Sequence, residues 1–398
     1  MISDMKKGVT ILLVLIILTF HGLCQAIRVN EYESSNDTTI VYFQGDHPDL
    51  LELYNMADSA VNLQGWFLSD DPEDLFKWQF PLVIIPSDYY MLVFASDKDT
   101  IFPNGEIHIN FKISNGDESL YLSNADSMLL DVALATDLLS DWSFGRFPDG
   151  DEDWLYFNIP TPGESNGTQP FVDFAGSPTF SQNAGFSQNP FFLEIQPATE
   201  GDTIYYTLDG SEPTLNSMIY SGPIQMVNRS SDPNRLSLIR TTLPGIGFYH
   251  WAAPNGIVYK FNVVRARVFK TGMYPSEIVS SSFIVDPDIS SRYTFPIISL
   301  ISDSLNFFCD TIGIYKAGYG IDSLNWLSAH FAQEGMAWER PVHIEYFEPD
   351  GTMRLSQDGG VRIHGGYSTT ANIKSLRLYA RGQYGKNKFD YKLFPKLD

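Results

Sequence analysis

The chain has 398 residues, of which 43% are hydrophobic and 14% aromatic, and a formal net charge of -22. That length accommodates about two to four ordinary domains. Residues 27–169 carry 26 Asp or Glu against five Lys or Arg, whereas residues 170–398 carry 21 against 19. The first block repels phosphate and so excludes nucleic acid as its partner, and the abrupt change marks separate units.

Taken from the start, Lys6 and Lys7 precede an apolar run over 9–20 and a short polar stretch over 21–26, the grammar of a secretory signal. The run is shorter than the ~20 apolar residues a membrane-spanning helix needs. Small residues at Cys24 and Ala26 place cleavage after Ala26; a lipoprotein route through Cys24 is weaker because Leu23 is bulky. The mature chain then keeps Cys309 as its one cysteine, which excludes an intramolecular disulfide. Its neighbours Phe307 and Phe308 suggest a small buried hydrophobe. The expected location is secreted, periplasmic or at the cell surface, with no transmembrane segment after cleavage.

Beyond the signal, short β-like runs alternate with Gly, Pro, Asn and Asp turns, so the expected fold is mainly β. Runs at 50–54, 89–95, 119–122 and 129–133 define a first unit over 28–168. "ELYNMADSAVNLQGWFLSDDPEDLFKWQFP", "YYMLVFASDKD" and "FGRFPDGDEDW" followed by "PTPGESN" resemble a lamin tail domain, which implies an immunoglobulin-like sandwich. Trp66, Trp78 and Trp142 suit its core or rim, each needing a partner for a buried N–H. The acid clusters 70–74 and 149–153 do not fit EF-hand spacing, and solvated turns are the expected role.

The Pro- and Gly-rich linker "PTPGESNGTQP" leads to a second unit over 177–286. It contains an alternating strand at 203–208, the turn signal Asp209-Gly210, and a closing strand pair in "VVRARVFKTGMYPSEIVSSSFIV". With "YYTLDGSEPT" these resemble the chitobiase/β-hexosaminidase C-terminal-type domain, implying a small fibronectin-like sandwich. An insertion over 229–260 carries Tyr249 and Trp251, for which local packing or sugar stacking are the available roles.

The third stretch, 294–398, contains "AWERPVHIEYFEPDG", "SQDGGVRIHGGYSTT" and "IKSLRLYARGQYG". Between 361 and 389 it holds Arg362, Lys374, Arg377, Arg381, Lys386 and Lys388 and no acid. Phosphate binding needs converging backbone N–H groups or fixed cations, and the Gly365-Gly366 pair with Ser368, Lys374 and Arg377 offers both. A strand over 374–380 would place Lys374 and Arg377 on opposite faces. Alternatively these cations pair with Glu345, Glu348 and Asp350, or solvate a strand edge. His364 reads as a strand-end hydrogen-bonder.

The motif order resembles the opening portion of the CotH kinase family; Ile373 stands where relatives usually have a polar residue. That resemblance implies the front part of a secreted multidomain protein kinase using ATP and Mg, with Gly365, Gly366, Ser368, Lys374 or Arg377 handling phosphate. The family's catalytic carboxylates lie later in the domain, so this chain alone is expected to be inactive and no catalytic or metal residue is nominated. The alternative is a non-catalytic adhesion or scaffold protein binding a surface protein or glycan. No Walker, GxGxxG, HExxH or GxSxG pattern offers a competing chemistry.

Overall fold

The computed structural model describes residues 26–167, 169–243, 251–320 and 325–392. The predicted signal therefore lies outside the described residues except for Ala26, and so does Tyr249. The chain divides into two compact units, Met1–Asp173 and Phe174–Asp398. Both are built mainly of β-strands, and no helix among the described residues is long and apolar enough to cross a membrane.

In the first unit a seven-stranded sheet runs in the order Trp154–Phe157, Ser143–Arg146, Ile27–Glu33, Asp49–Asn55, Tyr89–Ala95, Ile107–Ile109 and Thr100–Ile101. A four-stranded sheet, ordered Leu129–Ala133, Leu120–Ser123, Phe67–Ser69 and Trp78–Gln79, closes the sandwich. Val29, Leu51, Leu53 and Val93 meet Leu68, Leu120 and Leu122 between the sheets. Period-2 alternation sends the residues between them outward. Trp78 is buried and its Nε1 donates to Asp99 Oδ1 at 3.0 Å, so the expected partner for its N–H exists. Trp142 is also buried, and Trp66 packs at the rim.

The outward face is not simply solvated. Glu31 and Glu52 are direct cross-strand partners, and both are fully buried, as is Glu33. The segment after the last strand covers Glu31 and Glu52, while Glu33 accepts from Thr39 O–H at 2.9 Å. Thr161 N donates to Glu31, Gly163 N to Glu52 Oε2 at 2.7 Å, and Asn30 Nδ2 bridges Glu52 and Asp149 at 3.0 Å each. Asp149 further accepts from Tyr90 O–H, Ser165 O–H and Asn166 N–H. "PTPGESN" is thus a polar strap rather than a free linker, and Asp149 is a half-buried hydrogen-bond hub rather than the solvated turn residue expected. Of the other cluster, Asp70 pairs with Lys77 at 2.5 Å and Asp71 and Asp74 cap turn N–H groups.

One further charge pair ties the two sheets. Arg146, only 2% exposed, holds Asp131 at 2.7 Å, donates to Val29 O, and lies over the Trp154 ring at 4.7 Å. Asp131 in turn accepts Val29 N–H at 2.8 Å. Three strands of both sheets meet at that pair.

The second unit holds two layers of structure. A five-stranded sheet runs Gly185–Ser187, Val279–Val285, Asn262–Phe269, Thr203–Thr207 and Met218–Ile219, backed by the ribbons Thr179–Phe180 with Ile195–Gln196 and Phe191–Leu193 with Ile224–Met226. Ile204, Val264, Ala266, Val268 and Phe283 form its core. Asp209-Gly210 does turn the chain, with Gly210 at φ +87°, but the strand pairs with Met218–Ile219 across a longer loop than a two-residue hairpin. Trp251 is half-buried.

An antiparallel four-stranded sheet follows, ordered Ile297–Ile301, Arg340–Phe347, Met353–His364 and Ser375–Tyr379. One face carries the buried core of Ile314, Val342, Ile344, Leu355 and Val361. The other contacts the preceding sandwich. Ser282 N donates to both oxygens of buried Glu345, Ser282 Oγ lies 2.6 Å from Ser299 Oγ, and Phe186 meets Phe347 with ring centroids 5.8 Å apart. Cys309, expected in the core, is only half-buried; its Sγ lies 3.0 Å from Thr311 Oγ1, whose hydrogen bond pulls the thiol below its ordinary value.

Two outcomes follow from the strapped face. A Cβ at Gly145 would stand 2.7 Å from Asn166 Nδ2 and 3.1 Å from Asn30 O, so Gly145→Ala should loosen the strap and cost about 1–3 kcal/mol in thermal unfolding. Burial raises Glu31 to about 7 and both Glu33 and Glu52 to about 8, against an ordinary 4.5. Below pH 4.5 these groups are protonated in folded and unfolded chains alike, and their contribution is fully present. Between about pH 4.5 and 8 the unfolded chain ionises first, so calorimetry of the full chain should show the first unit losing stability as pH rises. Glu52→Gln should flatten that slope.

Candidate functional site

The nominated residues lie at the end of strand Met353–His364, in the turn that follows, and on strand Ser375–Tyr379. Gly365 has φ +129°, and a Cβ there would lie 2.4 Å from Ser368 Oγ, so the close packing of Ser368 demands glycine. Gly366 has φ -92° with open space around it and starts a 3-10 turn over Tyr367–Thr370. The strand begins one residue later than expected, at Ser375, and Lys374 turns inward before it.

Lys374 is 4% exposed. Its Nζ donates at 2.8 Å to the carbonyls of both Thr369 and Ala371, and sits 4.3 Å from the centroid of Phe331 and 5.5 Å from that of Tyr315. Its own N–H donates to Tyr315 O–H oxygen at 2.9 Å. Desolvation lowers the amine to about 8. No ion pair with a carboxylate accompanies it among the described residues. The ammonium therefore clamps the underside of the turn through two backbone carbonyls.

Arg377 takes the opposite face, as alternation requires. It is exposed on the edge strand, with Nη2 3.1 Å from His364 Nε2. His364 thus does hydrogen-bond at its strand end. The structure brings Gly365, Gly366, Ser368 and Lys374 around one turn and leaves Arg377 outside it.

The remaining cations do not pair with Glu345, Glu348 or Asp350, which accept instead from Ser282 N–H, Tyr391 O–H and Thr352 N–H. The partner of Arg362 and Arg381 is Glu339, whose side chain is 1% exposed. Arg381 binds it through Nε at 2.9 Å and Nη2 at 3.3 Å, and Arg362 Nε lies 3.4 Å away. Both guanidiniums stack on Tyr379, at 4.1 Å for Arg362 and 4.8 Å for Arg381. Gly360 is required beside them, since a Cβ there would lie 2.3 Å from Glu339 Oε1. Glu339 was missed in the sequence because it lies twenty-three residues before Arg362 by their numbers; the available signal was the Glu-Arg-Pro step that opens a strand paired to 353–364. Lys386 pairs locally with Asp390.

Among the described residues no group of three or more His, Cys, Asp or Glu is arranged to hold a metal ion. What the arrangement offers is a desolvated amine under a glycine turn, an exposed Arg377–His364 pair on a sheet edge, and beside them a clamp in which one carboxylate holds two guanidiniums.

Residues 25–136 match the Lamin Tail Domain family, and residues 193–283 match the family described as Fn3 associated. The chain is accordingly a mainly β protein containing an immunoglobulin-like lamin tail sandwich and a second, Fn3-associated module. Neither match reaches residues 294–398. No curated protein matches the chain.

Glu339→Gln would leave two guanidiniums facing a neutral amide. We expect the melting temperature of the second unit to fall by about 4–8 °C, with Gly360→Ala acting in the same direction.

Proposed function

We propose that this protein is a modular recognition protein of an exported surface, in which the sandwich modules position a protein or glycan partner and the C-terminal sheet presents an additional binding face. One observation carries this reading: the cations of the last module are largely engaged within the fold, Arg362 and Arg381 by Glu339 and Lys374 by two carbonyls. A preformed anion cradle would instead leave such groups turned to solvent. Export is argued from the signal-like N-terminus, and the acidic first unit disfavours nucleic acid.

A second reading is favoured by a different observation. A buried lysine with no carboxylate partner among the described residues, next to Gly365-Gly366, is the kind of amine a polyphosphate could engage if the turn rearranged. On that reading residues 294–398 are the opening portion of a CotH-type kinase domain, with ATP and Mg as ligands and Gly365, Gly366, Ser368, Lys374 or Arg377 at the phosphates. Chitobiase-type kinship of the second module belongs to the same set of proposals.

Thermal shift of the full chain separates the two. On the recognition reading, ATP with Mg leaves the melting temperature unchanged, while arrays of immobilised glycans and surface proteins yield a saturable partner. A nucleotide site would add about 2.7 kcal/mol at one hundred times Kd, and Lys374→Ala would abolish that gain. Such a shift would overturn the recognition reading.

A further inference from the structure

On the four-stranded sheet, His343 and Asp358 are cross-strand partners, and Ser356 lies opposite Glu345, two residues along on the same face. The imidazole bridges the other two side chains. His343 Nδ1 is 2.7 Å from Asp358 Oδ1, and His343 Nε2 is 3.1 Å from Ser356 Oγ. A carboxylate only accepts, so in the neutral ring Nδ1 carries the hydrogen and Nε2 offers its lone pair. Ser356 O–H must then donate to Nε2. Nucleophile, base and orienting acid are thereby connected in the order that acyl transfer requires.

The exposure pattern suits that chemistry. The side chain of His343 is 10% exposed, whereas Ser356 is open to solvent. Neighbouring positions on the other face, Val342, Ile344, Leu355 and Gln357, are buried and hold the two strands in register.

We propose that Ser356 is a nucleophilic serine, activated by His343 as general base and oriented through Asp358, that accepts acyl groups from small activated esters. Ser356 Oγ attacks the ester carbonyl while its proton passes to His343 Nε2. The carbon–oxygen bond to the leaving group breaks, and the leaving alcohol takes that proton from Nε2. Water, giving a proton to Nε2, then attacks the acyl-serine; the carboxylic acid departs and Ser356 Oγ recovers the proton. No metal or redox partner enters the balance. The open face sets no size limit through a pocket, and small substrates are the class it can serve.

The test uses the full chain with a fluorophosphonate probe, peptide mass spectrometry, and p-nitrophenyl acetate turnover. A single adduct on Ser356 is expected, absent in Ser356→Ala and formed at least ~100-fold more slowly in His343→Ala. Added imidazole should restore part of the His343→Ala rate, which a purely structural role would not allow. Asp358→Asn should slow labelling and remove the downfield Nδ1–H proton resonance of His343. Circular dichroism controls for folding, and His343→Gln replaces His343→Ala if the latter does not fold. Absence of an adduct on Ser356, or an adduct whose rate ignores His343, overturns the proposal.

Discussion

The C-terminal module depends on one carboxylate. Glu339 sits almost fully buried between two guanidiniums, and without its charge Arg362 and Arg381 would face each other across Tyr379. Burying like charges in a medium of low dielectric is costly unless an opposite charge of good geometry lies between them. The bidentate contact to Arg381 supplies that geometry, and Gly360 gives it room. What looked in one dimension like a free basic cluster is in three dimensions partly compensated by one buried carboxylate. The functional consequence is direct: Glu339 and the Tyr379 ring hold both guanidiniums in place, so they offer less to an incoming anion than cations turned to solvent.

The first unit solves the reverse problem. Its excess of acid is not all held at the surface, since Glu31, Glu33 and Glu52 are buried, Glu31 and Glu52 under the polar strap and Glu33 beside Thr39. Among the described residues no cation compensates them. Burial instead drives them toward the protonated form, while Asp149, though also partly desolvated, is carried below its usual value by bonds from Ser165, Asn30, Asn166 and Tyr90. The same carboxylate chemistry thus has two states within one network, separated by the number of donors each oxygen finds.

The mainly β fold was legible because its evidence is local. The short β-like runs at 50–54, 89–95, 119–122 and 129–133 and the alternating run at 203–208 survive as strands whose bounds lie close to those read from the residues. Turn chemistry at Asp209-Gly210 survives too. Placement of Trp78 followed from its need to bury a ring and satisfy one N–H. Contacts between distant segments were not legible: nothing local links Glu339 to Arg381, Glu345 to Ser282, or "PTPGESN" to Glu52. Lys374 shows the limit most clearly. Its residue type and glycine neighbours suggested phosphate contact and gave no sign of its burial, which the aromatic rings of Tyr315 and Phe331 favour through cation–π attraction and burial of the stem.

The joint between the two layers of Phe174–Asp398 explains why these residues act as one body. Glu345 projects from the sheet into the preceding sandwich and accepts Ser282 N–H, an otherwise orphan donor on strand Val279–Val285. Phe186 presses on Phe347 and on Gly351, whose φ of +85° and missing Cβ admit the ring. A polar contact alone would be weak, and an apolar contact alone would slide. Together they fix both the distance and the register of the sheet against the sandwich. Since Glu345 and His343 alternate along one strand, the contact that seats Glu345 also orients the row containing His343, Ser356 and Asp358. The geometry of that row is therefore inherited from the docking of two modules, and a change at Ser282 should reach it without touching it.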